Sequence, residues 1–529
     1  MKFKHAIHGD FDLIQKRLKD RRGHFMSSEL LQSQFDTLEH PSDAIAIDII
    51  SKPTEIIKMI KENLSDKGEF GLYGLGVMGK SLSRNLARNG FKISLYNRHV
   101  DGKEEKVAVR FKKEHDELSD ALPFDKEKEF IDSLQTPRKI MLMVPAAAMD
   151  KVIEVLVPLL SEGDILIDGG NSNFKKTNDR ADYLKSKKIN YIGAGVSGGE
   201  EGALKGPSIM PGGDKDAYES VAPYLNAIAA KDDHDLPCCA YVGPQGSGHY
   251  VKTIHNGIEY AEMQLLCEVY GILKSIGKNQ DDIASILTTW KATESSYLLE
   301  ITIDILQAKE GESWLLEKIM DQAGNKGTGN WATISSAELG VPSTLIASAL
   351  FARYTSFYKE DRVKLNEIYG DPKSEGSAIT NDELLNAYSF CRIVNHYQGF
   401  KVISKASEAF GWNLNLSEIA RIWTNGCIIR SSLMKELVNI LKDSEEMLTD
   451  QIIIDRIQQS KPAANKVISK SLMHGQTIPC MSEAVNFFNA MTSARSTANL
   501  IQAQRDYFGA HTYQRIDDDS DKFYHTNWK

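Results

Sequence analysis

The stretch Glu69-Phe70-Gly71-Leu72-Tyr73-Gly74-Leu75-Gly76-Val77-Met78-Gly79-Lys80 decides the fold. A short apolar run, a turn of pattern GxGxxG and an amphipathic run over Lys80–Asn89 follow one another. Strand, turn and helix do the same in a dinucleotide-binding βαβ unit. Gly74 permits the tight turn, Gly76 lets the backbone approach a pyrophosphate, and Gly79 lets helix and strand pack closely. Leu75, Val77 and Met78 complete the run expected to line the cofactor. The phosphates belong at the helix N-terminus, where unpaired N–H groups and the dipole favour anions. The competing reading is a tight turn that holds no ligand.

Working outward, residues 69–245 alternate short apolar runs with amphipathic ones. Phe70–Tyr73, Ile93–Tyr96, Lys139–Val144, Asp164–Ile167 and Tyr191–Ile192 read as strands, each followed by turn residues. That rhythm predicts a mostly parallel, doubly wound Rossmann-like sheet. The mixed-charge run Asp101–Glu117 reads as a solvated helix face. The second strand ends at Asn97-Arg98-His99, where an NAD enzyme usually carries Asp or Glu for the ribose 2′-hydroxyl. No carboxylate stands there. Asn97 is neutral, and the planar fork of Arg98 suits a 2′-phosphate, so NADP is expected over NAD. The alternative is that Arg98 is a surface arginine.

From His249 to about Phe488 the periodicity is helical, broken at Gly370–Thr380 by an expected surface loop. The expected organisation is an extension over 1–68, a Rossmann-like domain over 69–245, an all-α domain over 246–490 and a tail over 491–529. In the extension, Ala44–Ile50 reads as a strand and Pro53–Leu64 as a helix, with no chemistry assigned. The chain of 529 residues is 42% hydrophobic and 26% charged, ordinary values for a folded soluble protein. Its net charge of -9 argues against a nucleic-acid binder. No apolar run is long enough for a membrane span. The N-terminus lacks a secretory core, and the six cysteines form no CxxC pair. Reduced thiols, no metal and a cytoplasmic location are expected.

Substrate chemistry concentrates in three places. Asp168-Gly169-Gly170-Asn171-Ser172 follows an apolar strand, which puts Asn171 at the carboxyl edge of the sheet. The segment Gly195–Gly213 reads as a glycine-rich loop whose Ser197-Gly198-Gly199 can present N–H groups to an anion. Lys252, His255, Asn256, Glu259 and Tyr260 fall at i, i+3, i+4, i+7 and i+8, one face of a helix. A solvated stripe is the alternative there. Lys326 in a glycine loop, Arg353, Arg505 and His511 are further candidate anion contacts.

Together GLGVMG, YNR, DGGNS, GVSGGEEGA, KGPSIMPGG, VKTIHNGIEYAEMQ, GNKGTGNW and LIQAQRDYFGAHTY resemble the decarboxylating 6-phosphogluconate dehydrogenase family over residues 69–529. The resemblance implies oxidation of the 3-hydroxyl of 6-phosphogluconate by NADP, loss of CO₂ and release of ribulose 5-phosphate. It implies Lys252 as general base and Glu259 as general acid. It implies substrate contacts from Asn171, Ser197, Gly198, Gly199, His255, Asn256, Tyr260, Lys326, Arg353, Arg505 and His511. The last two would come from the partner subunit in a homodimer that exchanges tails. Many members carry a lysine in the turn after the third strand, whereas this chain has Val144-Pro145-Ala146 on the cofactor side. Competing readings are another NADP-dependent β-hydroxyacid dehydrogenase and a non-catalytic NADP-binding regulator.

Overall fold

A computed structural model describes residues 5–8, 10–19, 31, 45–48, 67–324, 327–370 and 379–529. The expected helix Pro53–Leu64, residues 371–378 of the expected loop, and Lys326 lie outside the described residues. Two compact units form. One runs to Lys252 and includes Asn425–Cys427; the other comprises Thr253–Thr424 and Ile428–Lys529.

In the extension, β1 (His5–His8) pairs in parallel with β2 (Ile45–Asp48), His5 opposite Ile45. Of the expected strand Ala44–Ile50, Ile45–Asp48 is strand, and residues 44, 49 and 50 lie outside the described residues. The main sheet has seven strands: β3 (Phe70–Tyr73), β4 (Ile93–Tyr96), β5 (Leu122–Phe124), β6 (Lys139–Leu142), β7 (Ile165–Asp168), β8 (Asn190–Ser197) and β9 (Ser208–Gly213). Their order is β5-β4-β3-β6-β7-β8-β9. The first six are parallel, and β9 runs antiparallel to β8. The order reverses between β3 and β6, the switch point where open sheets of this type bind ligands.

Both faces of the sheet are buried, which explains why its strands read as continuous apolar runs. Phe70, Leu72, Ile93, Leu95, Ile165 and Ile167 pack on one side. Tyr73, Tyr96, Ile140, Leu142 and Leu166 pack on the other. The helix after the glycine turn spans Val77–Arg88 and begins three residues earlier than its apolar periodicity suggested.

Residues 195–213 are not a loop. They continue β8 to Ser197, turn into the helix Gly199–Lys205 and return as β9. Glycine and proline are depleted in strands, so SIMPGG carries no strand signal. It is accommodated because β9 closes the sheet's edge, where Pro211 is tolerated. β5 was hidden in the same way by its Pro123. Nor is 101–117 one solvated helix. It holds a bridge between Val100 and Glu104, a helix over Val107–Lys113 and a 3₁₀ turn, with Ala108, Phe111 and Leu118 buried.

Among the described residues the strands of the second unit are those of the small hairpin of β10 (Lys309–Glu310) and β11 (Ser313–Trp314), and its other elements are helical. Its central helix, Asn381–Phe410, starts in a capping box between Thr380 and Glu383 and ends on Gly411. That helix buries Arg392, paired with Glu262 at 3.0 Å and Glu294 at 2.6 Å. A buried guanidinium needs such partners, because removing either would leave an uncompensated charge.

Candidate functional site

The glycine turn sits at the carboxyl end of β3. Gly74 adopts φ +102, a region closed to most side chains, and its N–H donates to the Tyr96 carbonyl at 2.9 Å. A Cβ at residue 79 would lie 2.0 Å from the Gly74 carbonyl oxygen. Gly79 is therefore required by the fold. Gly76 differs: its φ of -69 and ψ of -174 are ordinary, and a Cβ there would meet no protein atom within 4 Å. Open space at the helix N-terminus is what an approaching pyrophosphate needs, so the residues fit a dinucleotide.

Asn97 is buried and braces this turn. Its Oδ1 accepts from the Leu75 N–H at 3.1 Å. Its Nδ2 donates to Glu104 Oε2 at 3.1 Å. Arg98, with its side chain 70% exposed, grips Glu104 through Nη2 at 2.9 Å and Nε at 3.2 Å. Arg98 and Asn97 hold the Glu104 carboxyl below the usual carboxylate range. His99 is exposed and pairs with Asp101 at 2.9 Å. Val144 and Ala146 are half-buried, and Pro145 caps the helix Ala146–Leu156.

Beyond β7 the DGGNS turn rests on a network that motif reading did not single out. Asp168 is fully buried. Its Oδ2 accepts from Ser172 Oγ at 2.6 Å, Tyr191 OH at 2.9 Å and Arg180 Nη1 at 3.3 Å, and its Oδ1 from the Gly170 N–H at 3.0 Å. His249 Nε2 meets the Asp168 carbonyl at 3.1 Å and Nδ1 meets Thr177 Oγ1 at 2.7 Å. Burial pushes the His249 imidazole below its ordinary pKa, favouring the neutral ring. Asn171 stands exposed above this buried base. The signal was present in the sequence, since Asp168 opens DGGNS and His249 stands two residues before VKTIHNGIEYAEMQ.

β8 outruns β7. Its pairing with β7 stops at Gly193, while its pairing with β9 continues to Ser197. Ser197 is buried, and Gly198 at φ +124 turns the chain into the next helix. The long helix Ser247–Ser275 presses its first turns onto these two strands. A Cβ on Gly248 would lie 2.3 Å from the carbonyl oxygens of Gly193 and Met210, and one on Gly195 would lie 2.3 Å from Lys252 Cβ. Absence of side chains at this crossing sets where Lys252, 7% exposed, is held.

The same helix continues through His255, Asn256, Glu259 and Tyr260, so the five-residue face exists on one unbroken helix. It is not a solvated stripe: His255, Asn256 and Tyr260 are buried, and the Glu259 side chain is 20% exposed. His255 Nδ1 lies 3.2 Å from Asn256 Oδ1 and 3.6 Å from Glu259 Oε2, and the ring meets Trp423 edge-on at 5.4 Å. Arg353 stacks on the Tyr260 ring at 3.5 Å and donates to the Gly324 carbonyl at 3.2 Å. A Cβ on Gly329 would lie 2.8 Å from Tyr260 Cε2. The structure thus joins Tyr260, Arg353 and both ends of the glycine loop.

Arg505 and His511 are exposed on a C-terminal module built from the helix Ala498–Gly509 and the following strand-like turn. Asp506 is its hub. Its Oδ1 accepts from the Thr512 N–H at 3.0 Å and meets His525 Nδ1 at 2.9 Å. Its Oδ2 accepts from the Thr526 N–H at 3.0 Å and Trp528 Nε1 at 2.8 Å. Burial works to raise the Asp506 carboxyl pKa, but these donors outweigh it and hold it well below the ordinary range. Sequence reading passed over Asp506, although it adjoins Arg505.

Two family models match the chain: the NAD binding domain of 6-phosphogluconate dehydrogenase over residues 69–243 and the 6-phosphogluconate dehydrogenase C-terminal domain over residues 248–528. A decarboxylating 6-phosphogluconate dehydrogenase of Haemophilus influenzae is 43% identical over 476 residues, 88% of this chain and 97% of that protein. One from Lactococcus lactis subsp. cremoris is 45% identical, covering 87% and 99%. The NAD(+)-dependent decarboxylating enzyme of Bacillus subtilis is 42% identical, covering 87% and 98%. The Plasmodium falciparum 6-phosphogluconate dehydrogenase, solved in its apo form and with NADP+ and 6-phosphogluconate, superposes with a TM-score of 0.81. It is 37% identical over 87% of this chain and 100% of that one. With both family models in chain order and near-full-length relatives above 40% identity, this chain belongs to the 6-phosphogluconate dehydrogenase family.

Proposed function

We propose that the chain oxidises and decarboxylates 6-phosphogluconate to ribulose 5-phosphate and CO₂, with NADP as oxidant. The observation that carries this reading is the polar face Lys252–Tyr260 on one unbroken helix, its residues buried or largely so, with Lys252 itself packed on the glycine of β8. Gly74–Gly79, Asn97, Arg98, His99, Val144–Ala146 and Asn171 form the proposed cofactor side. NADP, when bound, supplies the acceptor for the hydride from C3. Lys252 takes the proton of the C3 hydroxyl. An amine accepts a proton only when neutral, and exclusion from water favours that form. The 3-keto acid then loses its carboxyl group as CO₂ while the carbonyl receives the electrons, and protonated Lys252 stabilises the developing oxyanion. Glu259 delivers a proton to C1 of the resulting enediol. Asn171, Ser197–Gly199, His255, Asn256, Tyr260, Lys326 and Arg353 orient the substrate.

The assay follows NADPH absorbance with 6-phosphogluconate and NADP. Lys252→Met abolishes turnover while NADP binding survives; full activity in that variant overturns the mechanism. Turnover of a different β-hydroxyacid but not of 6-phosphogluconate overturns the substrate.

We further propose a cytoplasmic homodimer whose tails complete the partner's site. Supporting it are exposed Phe351, Phe357, Tyr358, Ile368 and Tyr369 on the helical unit, and Phe508 and Ile516 on the tail. Apolar surface of that kind marks an interface. Among the described residues no helix is long and apolar enough to cross a membrane. Mixing Lys252→Met protomers with Arg505→Ala protomers tests the exchange. Mixed dimers would hold one intact site, so activity returns on mixing. Persistent inactivity refutes it.

A further inference from the structure

We infer that Glu104 sets the cofactor preference of this chain, weakening its hold on the 2′-phosphate of NADP and offering NAD an acceptor for its ribose hydroxyl. The inference rests on the proposed reading of Arg98 as the 2′-phosphate contact. At the end of β4 the expected carboxylate is missing from the sequence, but the fold supplies one from seven residues beyond Asn97. The backbone fixes its place. Val100 N–H donates to the Glu104 carbonyl at 3.1 Å, and the Glu104 N–H donates to the Val100 carbonyl at 2.8 Å. This narrow bridge folds the chain back so that the carboxylate reaches Arg98 and Asn97 together.

The grip on Arg98 uses Nε and Nη2, an edge that can also fork a phosphate with two parallel hydrogen bonds. A dianionic 2′-phosphate arriving there meets a guanidinium already neutralised, with a second anion alongside. Either Glu104 releases Arg98, or two like charges share one cation; both lower NADP affinity. NAD brings a hydroxyl instead. A carboxylate is the ordinary acceptor for that hydroxyl at the end of the second strand. Glu104 is anchored to the glycine turn through Asn97 and Leu75, so it stands in fixed relation to the cofactor's phosphate cradle. Both partners are solvent-accessible, with side chains 70% and 36% exposed. Water and salt therefore moderate the effect without abolishing it.

The two cofactors consequently respond to Glu104→Gln in opposite directions. Calorimetric titration of the full chain with NADP and with NAD, at low and high salt, reads this directly. NADP binding tightens by about 3- to 10-fold at low salt, less at high salt, as for a screened surface charge. NAD binding weakens by about 3-fold or more, as for loss of a charged acceptor on an exposed site. A shift of both cofactors in the same direction, an unchanged ratio, or weaker NADP binding overturns the inference. Arg98→Ala, titrated in parallel, isolates the underlying reading: it weakens NADP and spares NAD if Arg98 meets the 2′-phosphate. If Arg98→Ala weakens both equally, the Arg98 reading fails whatever Glu104→Gln does.

Discussion

Two alanine substitutions in one turn separate what the fold requires from what the ligand requires. At Gly76 the backbone is in an ordinary extended region and a Cβ meets no atom within 4 Å. Alanine there lowers the entropy of the unfolded chain, worth about 0.4–1 kcal/mol. It is also a poorer helix cap than glycine, at a cost of about 1 kcal/mol or less. The sum leaves apo stability within about 1 kcal/mol, a Tm shift of roughly 3 °C at most for a domain of this size. At Gly79 a Cβ would stand 2.0 Å from the Gly74 carbonyl oxygen, and Gly74 is tied to Tyr96 and cannot yield. Overpacking against backbone costs about 1–3 kcal/mol or more, several degrees of Tm. Cofactor binding reverses the ranking of harm. The methyl at residue 76 fills the space a pyrophosphate would enter. Each charged hydrogen bond lost costs about 1.5–3 kcal/mol, or roughly 10- to 150-fold in Kd. Apo Tm by calorimetry and NADP Kd by titration check both halves. Gly76→Ala keeps the Tm and loses at least about 10-fold in NADP affinity, whereas Gly79→Ala loses Tm. Wild-type NADP affinity in Gly76→Ala refutes the turn as a phosphate cradle. Equal destabilisation by both substitutions refutes the packing argument.

Gly195→Ala places a Cβ 2.3 Å from Lys252 Cβ and 2.9 Å from its Cγ, so it moves the proposed base. Steady-state assays of the folded variant then show kcat down about 100-fold, the scale of a misplaced reacting group, with NADP Kd retained; unchanged kcat sinks the assignment. Glu268 is buried beneath the N-terminus of the helix Pro479–Met491, where its carboxylate accepts from the Cys480 and Met481 N–H groups at 2.9 Å each. Burial nevertheless pushes its pKa from 4.5 to about 7. The folded state then binds the extra proton, so this contribution is fully present below pH 4.5 and is lost as pH rises through 7. It amounts to about 3 kcal/mol at most. Denaturation profiles of Glu268→Gln should be flatter than wild type between pH 5 and 8, and profiles that overlay refute the raised value. Asp506→Asn replaces an acceptor of four donors by a group that itself donates, loosening the tail that presents Arg505 and His511. KM for 6-phosphogluconate rises about 10-fold, the scale of one charged contact, while NADP Kd stays unchanged; a KM equal to wild type shows that the tail's clasp does not position these side chains.

The dinucleotide half was legible because its signals are local. A four-residue apolar strand, three glycines at fixed spacing and an amphipathic helix each declare themselves within a dozen residues. The five-residue face from Lys252 to Tyr260 was legible for the same reason, as helical spacing alone puts it on one side. Its burial was not. Nothing in VKTIHNGIEY distinguishes a solvated stripe from a polar seam enclosed on a helix whose neighbouring faces are also apolar. β9 and the continuation of β8 past Ile192 failed for a different reason. Their glycines and Pro211 suppress the strand signal, and the pairing that makes them strands joins residues up to twenty-one positions apart, Ile192 with Gly213. Glu104 was lost in a run of mixed charge. Charge density identifies a solvated segment but not which carboxylate a two-residue backbone bridge will aim at Arg98.

Glycine usage shows why motif and structure carry different information. GLGVMG and GVSGGEEGA offer the same letter for three unlike reasons. Gly74 and Gly198 are glycine because the backbone turns through positive φ there. Gly79 and Gly195 are glycine because atoms of Gly74 and Lys252 occupy the volume of a Cβ. Gly76 satisfies neither condition, since its dihedral is ordinary and its surroundings are empty. As a helix cap glycine is better than alanine but no better than Ser, Asn or Asp, so its cost of up to about 1 kcal/mol of chain entropy, at a position where neither dihedral nor packing requires it, points to something outside the chain. The open volume at Gly76 is therefore stronger support for a bound dinucleotide than the two flanking glycines, which the apo fold would need regardless.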